Sequence, residues 1–183
     1  MTDRRTEIVD AALAVLAEQG LRGLTHRAVD GVAGIAAGST SYYFRTRSAL
    51  VQACVARLLE LDLAAELPAV RDAGPDALLD VLTGVGVAMV TGERRRTLAR
   101  YELSLAAARD PQLRAHLVRG GDTIRRLGAQ VLAGRGVAEA DAAADELAAV
   151  LDGLVFTALL RGPHEPARLA RWMRPVLARA LSG

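Results

Sequence analysis

Apolar side chains recur in this chain at steps of three and four residues, and no run alternates apolar and polar like a half-buried strand. A chain with that period can bury its hydrophobic surface only as helices. The most regular run, Leu113, Leu117, Gly120, Ile124, Leu127 and Val131, steps 4, 3, 4, 3, 4. Shorter stripes run through Ile8, Ala12 and Leu16, through Leu50, Cys54, Leu58 and Leu61, and through Leu78, Leu82, Val85 and Met89. Two more follow, at Leu147, Val150, Leu154 and Ala158, then at Leu169, Trp172 or Met173, and Val176. The stripes stop at residues that punctuate helices: Gly20, Pro68, Gly74-Pro75, Gly92, Asp110-Pro111, Gly134 to Gly136 and Gly162-Pro163. Thr2 or Asp3 is placed to cap the first helix and Gly20 to end it. The tract Thr83 to Val90 is rich in β-branched residues, yet its flanks keep the helical period. The expected fold is all-α, with short helices and tight turns over residues 1–46 and longer helices over 47–183.

Composition removes several classes of function. The chain has 183 residues, 51% of them hydrophobic and 24% charged, which is a globular balance. Cys54 is the sole cysteine, which excludes an internal disulfide and a multi-cysteine metal site and fits a reducing cytoplasm. His26, His116 and His164 stand apart, without a partner at ligand spacing, so no metal is expected. The start lacks the apolar core of a signal peptide. The apolar tract Val81 to Val90 is far shorter than the roughly 18–20 residues of a membrane span, so a cytoplasmic chain without a membrane partner is expected. Gly84-Val85-Gly86 lacks a third glycine and a preceding strand, so it is no dinucleotide loop. With no Ser-His-Asp set either, the reading is a protein that is not an enzyme and carries no cofactor.

Residues 24–50 carry the functional argument. Thr25 is a credible N-cap, with Leu24 and Val29 as a hydrophobic staple around it. A helix over 26–33 would turn Ala28, Val29, Val32 and Ala33 toward a core. Gly34 permits a sharp turn, Ile35 fills the angle, and a second short helix follows from about Ala37 to Phe44. This is the outline of a helix-turn-helix whose second helix enters the major groove. Ala37, Gly38 and Ser39 are small enough for close approach to base edges, and Ser39, Thr40 and Ser41 offer short hydroxyls. Tyr42 and Tyr43 can present hydroxyls to phosphate or base while Phe44 points inward. Arg45 and Arg47 put charge beside the duplex backbone, and His26, beside Thr25, is read as a phosphate contact. Between Leu21 and Leu50 stand four arginines (Arg22, Arg27, Arg45, Arg47) and one acid, Asp30, although the whole chain is only +2. The positive charge is concentrated where the groove reader lies.

On these residues the first 50 positions resemble the DNA-binding domain of TetR-type transcriptional regulators. The matching pieces are Glu18-Gln19-Gly20, Leu24-Thr25, the turn Gly34-Ile35-Ala36, the string Gly38-Ser39-Thr40-Ser41-Tyr42-Tyr43-Phe44, and Arg47 with Leu50. The resemblance implies that Ala37, Gly38, Ser39 and Tyr42 face bases, and that Thr25, Tyr43 and Arg47 hold phosphates. It also implies an effector-binding second domain whose last two helices pair with a second subunit in a four-helix bundle. In that family an effector moves the two reading heads apart and releases DNA. Three positions depart from the family pattern: Ala36 where a capping Ser is frequent, Ser41 where a Tyr is common, and Thr40 where an apolar residue is usual.

The second domain is expected to bind a small effector and to dimerise. On a helix over 93–109, Tyr101 and Leu105 share a face with Leu98, and Glu102 lies beside it. Together with Met89 and Phe156 they are read as pocket lining, plain core being the alternative. Leu147, Val150, Leu151 and Leu154 on a helix over 139–161, with Leu169, Trp172, Met173 and Val176 on one over 166–181, expose more apolar surface than one small domain covers. A homodimer burying them would read an inverted-repeat operator in double-stranded DNA, with half-sites about 34–36 Å apart or a multiple of that. The expectation is therefore a repressor released by a small molecule. The rivals are a helical small-molecule carrier without a DNA role, and a DNA-binding activator without an effector.

Overall fold

The structure, a computed structural model, describes residues 3–65, 77–162 and 164–182. The described residues form α-helices joined by turns, with no strand among them. In chain order they are α1 (Arg4–Gly23), α2 (His26–Ala33), α3 (Ser39–Tyr43), α4 (Arg47–Ala65), α5 (Leu78–Val90), α6 (Arg94–Ala107), α7 (Pro111–Ala133), α8 (Ala140–Arg161) and α9 (Pro166–Ser182). None of these helices is long and apolar enough to cross a membrane. Thr2, Pro68, Gly74-Pro75 and Pro163 lie outside the described residues. Asp3 takes the N-cap position of α1 but its side chain accepts no capping bond. Gly20 breaks the helical backbone of α1 as expected, with φ +67° and ψ −176°.

The chain divides into two compact units. The first joins Met1–Leu61 to Arg95–Gly120, the second Asp62–Arg94 to Gly121–Gly183. The first unit therefore reaches past residue 46, because the stripe Leu50, Cys54 and Leu58 of α4 enters the same core as Ile8, Leu16 and Val29. Ala99, Leu103 and Leu113, from α6 and α7, complete that core. An Arg57–Asp10 ion pair at 2.8 Å also ties α4 to α1. Val32, expected inward, is 47% exposed, because α2 turns Val29 and Asp30 inward, with Ala28 and Ala33 packed beside them.

In the second unit α5 packs against α8 and α9. Gly86 allows this: a Cβ there would lie 3.0 Å from both Leu151 Cδ1 and Met173 Sδ. An Arg174–Asp80 ion pair links α9 to α5. This packing corrects part of the expected dimer face. Leu147, Leu154, Leu169 and Met173 are all buried already in the single chain, since a helix facing two neighbours spends its most regular apolar stripe on the nearer core. Val150, Leu151 and Val176 are half-buried. The large apolar side chains that α8 and α9 do expose are Phe156, Leu160 and Trp172.

Candidate nucleic-acid interface

The turn between α2 and α3 is built by backbone chemistry legible in the residues. Thr25 Oγ1 accepts the Ala28 N–H at 3.1 Å and so caps α2. Gly34 takes the left-handed conformation at φ 64°, and the next amide, Ile35 N–H, bonds back to the Asp30 carbonyl at 3.1 Å. The second helix is shorter than expected, Ser39–Tyr43, and it has no side-chain cap of its own.

Its cap comes from α2. Asp30, 5% exposed, sets its carboxylate against the first turn of α3. Oδ2 accepts the Gly38 N–H at 2.7 Å, and Oδ1 accepts both the Thr40 N–H at 2.8 Å and the Thr40 hydroxyl at 2.6 Å. Burial raises the Asp30 pKa, but the three hydrogen bonds, helped by nearby His26, outweigh it and hold the carboxyl below its usual range. Thr40 is therefore not a reader of DNA as expected: it is fully buried, and its hydroxyl is given to Asp30. Asp30 was counted in the sequence only as a charge. The signal that could have found it is an acid on the inward face of α2 paired with a hydroxyl where an apolar residue is usual.

Exposed at this end of the head are Ala37 and Gly38 of the turn before α3, and Ser41 and above all Tyr42, at 75%, on α3 itself, with Ser39 half-buried. Tyr43 is half-buried against the core and meets Tyr42 edge to face at 5.3 Å between centroids. Phe44 is buried as expected. Thr25, Arg27, Arg45 and Arg47 are exposed around this helix. One cation was missed: Arg5 of α1 lies over the Phe44 ring at 4.3 Å and donates to the Tyr43 carbonyl at 3.4 Å, which brings its charge to the end of α3.

Two expected phosphate ligands have duties inside the head. His26 Nε2 lies 2.7 Å from the Phe44 carbonyl, and since a carbonyl only accepts, Nε2 carries the hydrogen. His26 is thus a strut across the helix-turn-helix rather than a phosphate contact through that nitrogen. Arg47 donates Nε–H to the Leu24 carbonyl at 3.1 Å and Nη2–H to the Leu21 carbonyl. The same corner is held from α6, where Glu102 Oε2 accepts the Leu21 N–H at 3.1 Å. Gly20 just before it holds φ +67°, a conformation that L side chains rarely adopt, and a Cβ there would also stand 2.9 Å from that oxygen.

Of the five positions expected to line an effector pocket, Glu102 has this duty in the first unit. Met89 is buried core in the second unit, while Phe156 in that unit is 48% exposed. Tyr101 belongs to the first unit, and so does Leu105, which is 58% exposed. A single helical stripe cannot say which of its faces meets a cavity. The second unit does hold a cavity of about 160 Å³, and none of the five lines it.

Residues 8–54 match the family model described as "Bacterial regulatory proteins, tetR family". Residues 73–183 match the one described as "Tetracyclin repressor-like, C-terminal domain". Among curated proteins, the HTH-type transcriptional regulator BetI of Serratia proteamaculans (strain 568) is 31% identical over 166 residues, covering 87% of this chain and 82% of BetI. The HTH-type nicotine-responsive transcriptional repressor HdnoR of Paenarthrobacter nicotinovorans is 27% identical over 111 residues, 60% of this chain and 57% of HdnoR. Among solved structures, the multidrug binding protein EbrR complexed with ethidium superposes with a TM-score of 0.73 at 33% identity, covering 97% of this chain and 98% of EbrR.

Proposed function

Since the chain belongs to the tetR family of bacterial regulatory proteins, we propose that this transcriptional regulator is a repressor, which binds an inverted-repeat operator as a homodimer in the cytoplasm and lets it go when a small molecule binds its second unit. The observation that carries the DNA reading is the exposed surface of α3 and the turn before it, where Ala37, Gly38 and Tyr42 are exposed among exposed Thr25, Arg27, Arg45 and Arg47. Small residues let a helix sit deep in the groove, tyrosine hydroxyls and short side chains reach base edges, and arginines hold the phosphates. Ser39 and Tyr43, half-buried, flank that surface. Repression and release are supported by relatives whose names describe them as a nicotine-responsive repressor and a multidrug binding protein complexed with ethidium. The homodimer is supported by the apolar side chains Phe156, Leu160 and Trp172 that α8 and α9 turn outward.

The test is a footprint of the purified protein on DNA upstream of its own gene, combined with selection from random duplexes, at two salt concentrations. An inverted repeat protected with steep salt dependence is expected, since each phosphate held by an arginine releases counterions on binding. If neither DNA yields a protected site and low salt gives no binding, the carrier reading replaces this one.

A further inference from the structure

The cavity of the second unit has a wall that restricts what can enter it. Its lining comes from α5, α7, α8 and α9 and the last turn of α4, all residues of that unit, and includes Leu82, Val85, Ile124, Val131, Ala148 and Leu151. The lining holds no aromatic ring, hydroxyl, amide or imidazole among the described residues. The backbone of these helices is committed to its own hydrogen bonds and offers none to a guest. Two ionisable side chains reach the wall, Asp62 and Arg125. Arg125 is already matched, by Asp122 at 2.6 Å and Asp145 at 3.2 Å, and Asp62 is engaged in an interaction of its own.

A charged guest would give up part of its hydration here while the two charges on the wall are already engaged, and a flat cation would find no ring to stack on. The volume, about 160 Å³, is well below the roughly 300–1,000 Å³ of sites for drug-sized ligands. An aliphatic cavity of about 150 Å³ stays dry and takes up a molecule such as benzene. From this we infer that the cavity is the effector site and that its ligand is a compact, uncharged, hydrocarbon-like molecule of roughly six to ten heavy atoms. The inference rests on the effector-responsive reading above and adds to it the chemical class of the effector.

The test compares three probes of similar size on the full-length protein: ethylbenzene, its charged counterpart benzylammonium, and benzoate. Binding is followed by methyl NMR of the wild type and by thermal melting. Ethylbenzene at about ten times its Kd should move the methyl signals of Leu82, Val85 and Ile124 and raise Tm by roughly 2–5 °C. Benzylammonium and benzoate should do neither at the same concentration. Ala148→Phe should fill the cavity and abolish the ethylbenzene response. Leu82→Ala should enlarge it and admit butylbenzene. The inference is overturned if either ion binds as tightly as ethylbenzene, if ethylbenzene shifts only methyls outside the cavity, or if Ala148→Phe leaves its binding unchanged. The wild-type NMR decides the matter should a variant not fold. Release of a labelled operator is measured in parallel. Ethylbenzene that fills the cavity without weakening DNA binding upholds the ligand class and refutes the effector reading, whereas a chain that binds operator but not ethylbenzene refutes the ligand class alone.

Discussion

Replacing Asp30 by alanine should loosen the reading helix far more than the loss of one surface charge would. The carboxylate accepts three hydrogen bonds, from Gly38 N–H, Thr40 N–H and the Thr40 hydroxyl. Gly38 is exposed, so water can take over its amide, but Thr40 is fully buried and would keep two donors without an acceptor. At about 1–3 kcal/mol for each stranded donor, Asp30→Ala should cost the α2–α3 region roughly 2–6 kcal/mol. Native-state hydrogen exchange reads this directly: the amides of residues 40–44 should lose protection by roughly 30- to 20,000-fold, and specific operator affinity should fall with them. Thr40→Val removes one of the stranded donors, so the pair Asp30→Ala with Thr40→Val should recover about 1–2 kcal/mol relative to Asp30→Ala alone, a coupling measurable in a double-mutant cycle. Because the folded Asp30 carboxyl titrates below its ordinary value, its contribution is complete above about pH 4 and is lost as pH falls through the lowered value. The head should therefore show no pH dependence from Asp30 between pH 5 and 8. A cost under about 1 kcal/mol, or strict additivity with Thr40→Val, would refute the argument.

Other consequences can be checked alongside. Trp172→Arg should turn the dimer into a monomer in light scattering, leaving helical content unchanged and weakening operator binding. Gly86→Ala forces its Cβ to 3.0 Å from Leu151 and Met173, a crowding cost of about 1–3 kcal/mol that the helix-propensity gain of about 1 kcal/mol only partly offsets, so calorimetry should read a net loss of up to about 2 kcal/mol. Burial, with a smaller push from the Asp10 charge, raises the Cys54 thiol to about 12, so a thiol reagent at pH 8 should label Cys54 only once denaturant unfolds the first unit. Arg47→Ala should flatten the salt dependence of DNA binding by about one unit while also releasing the Leu21–Leu24 corner; an unchanged slope would leave Arg47 with the structural duty alone.

The helical stripes foretold the elements well because helix formation and one-sided burial are encoded at short range. Ile8, Leu16, Leu50, Cys54 and Leu58, all read as core positions, do meet in one core. The same locality marks where the reading stopped. A stripe says that one face of a helix is covered but not by what, so Leu147, Leu169 and Met173 passed for dimer contacts although the single chain already buries them. Glu102 was legible only as one polar group on an apolar helix, and its partner is a backbone amide 81 positions earlier.

The sequence by itself thus determined the helices, their breaks, the left-handed turn at Gly34 and the cluster of small, hydroxyl and arginine residues that makes a groove reader. These follow from backbone sterics and periodicity within a few turns. Tertiary structure alone decided which polar groups are consumed internally. Asp30 and Thr40 satisfy one another beneath the reader, His26 braces it through the Phe44 carbonyl, and Arg47 and Glu102 clamp its entry corner. A hydrogen bond needs two partners brought within about 3 Å. For most of these groups, that proximity exists only after distant segments have packed.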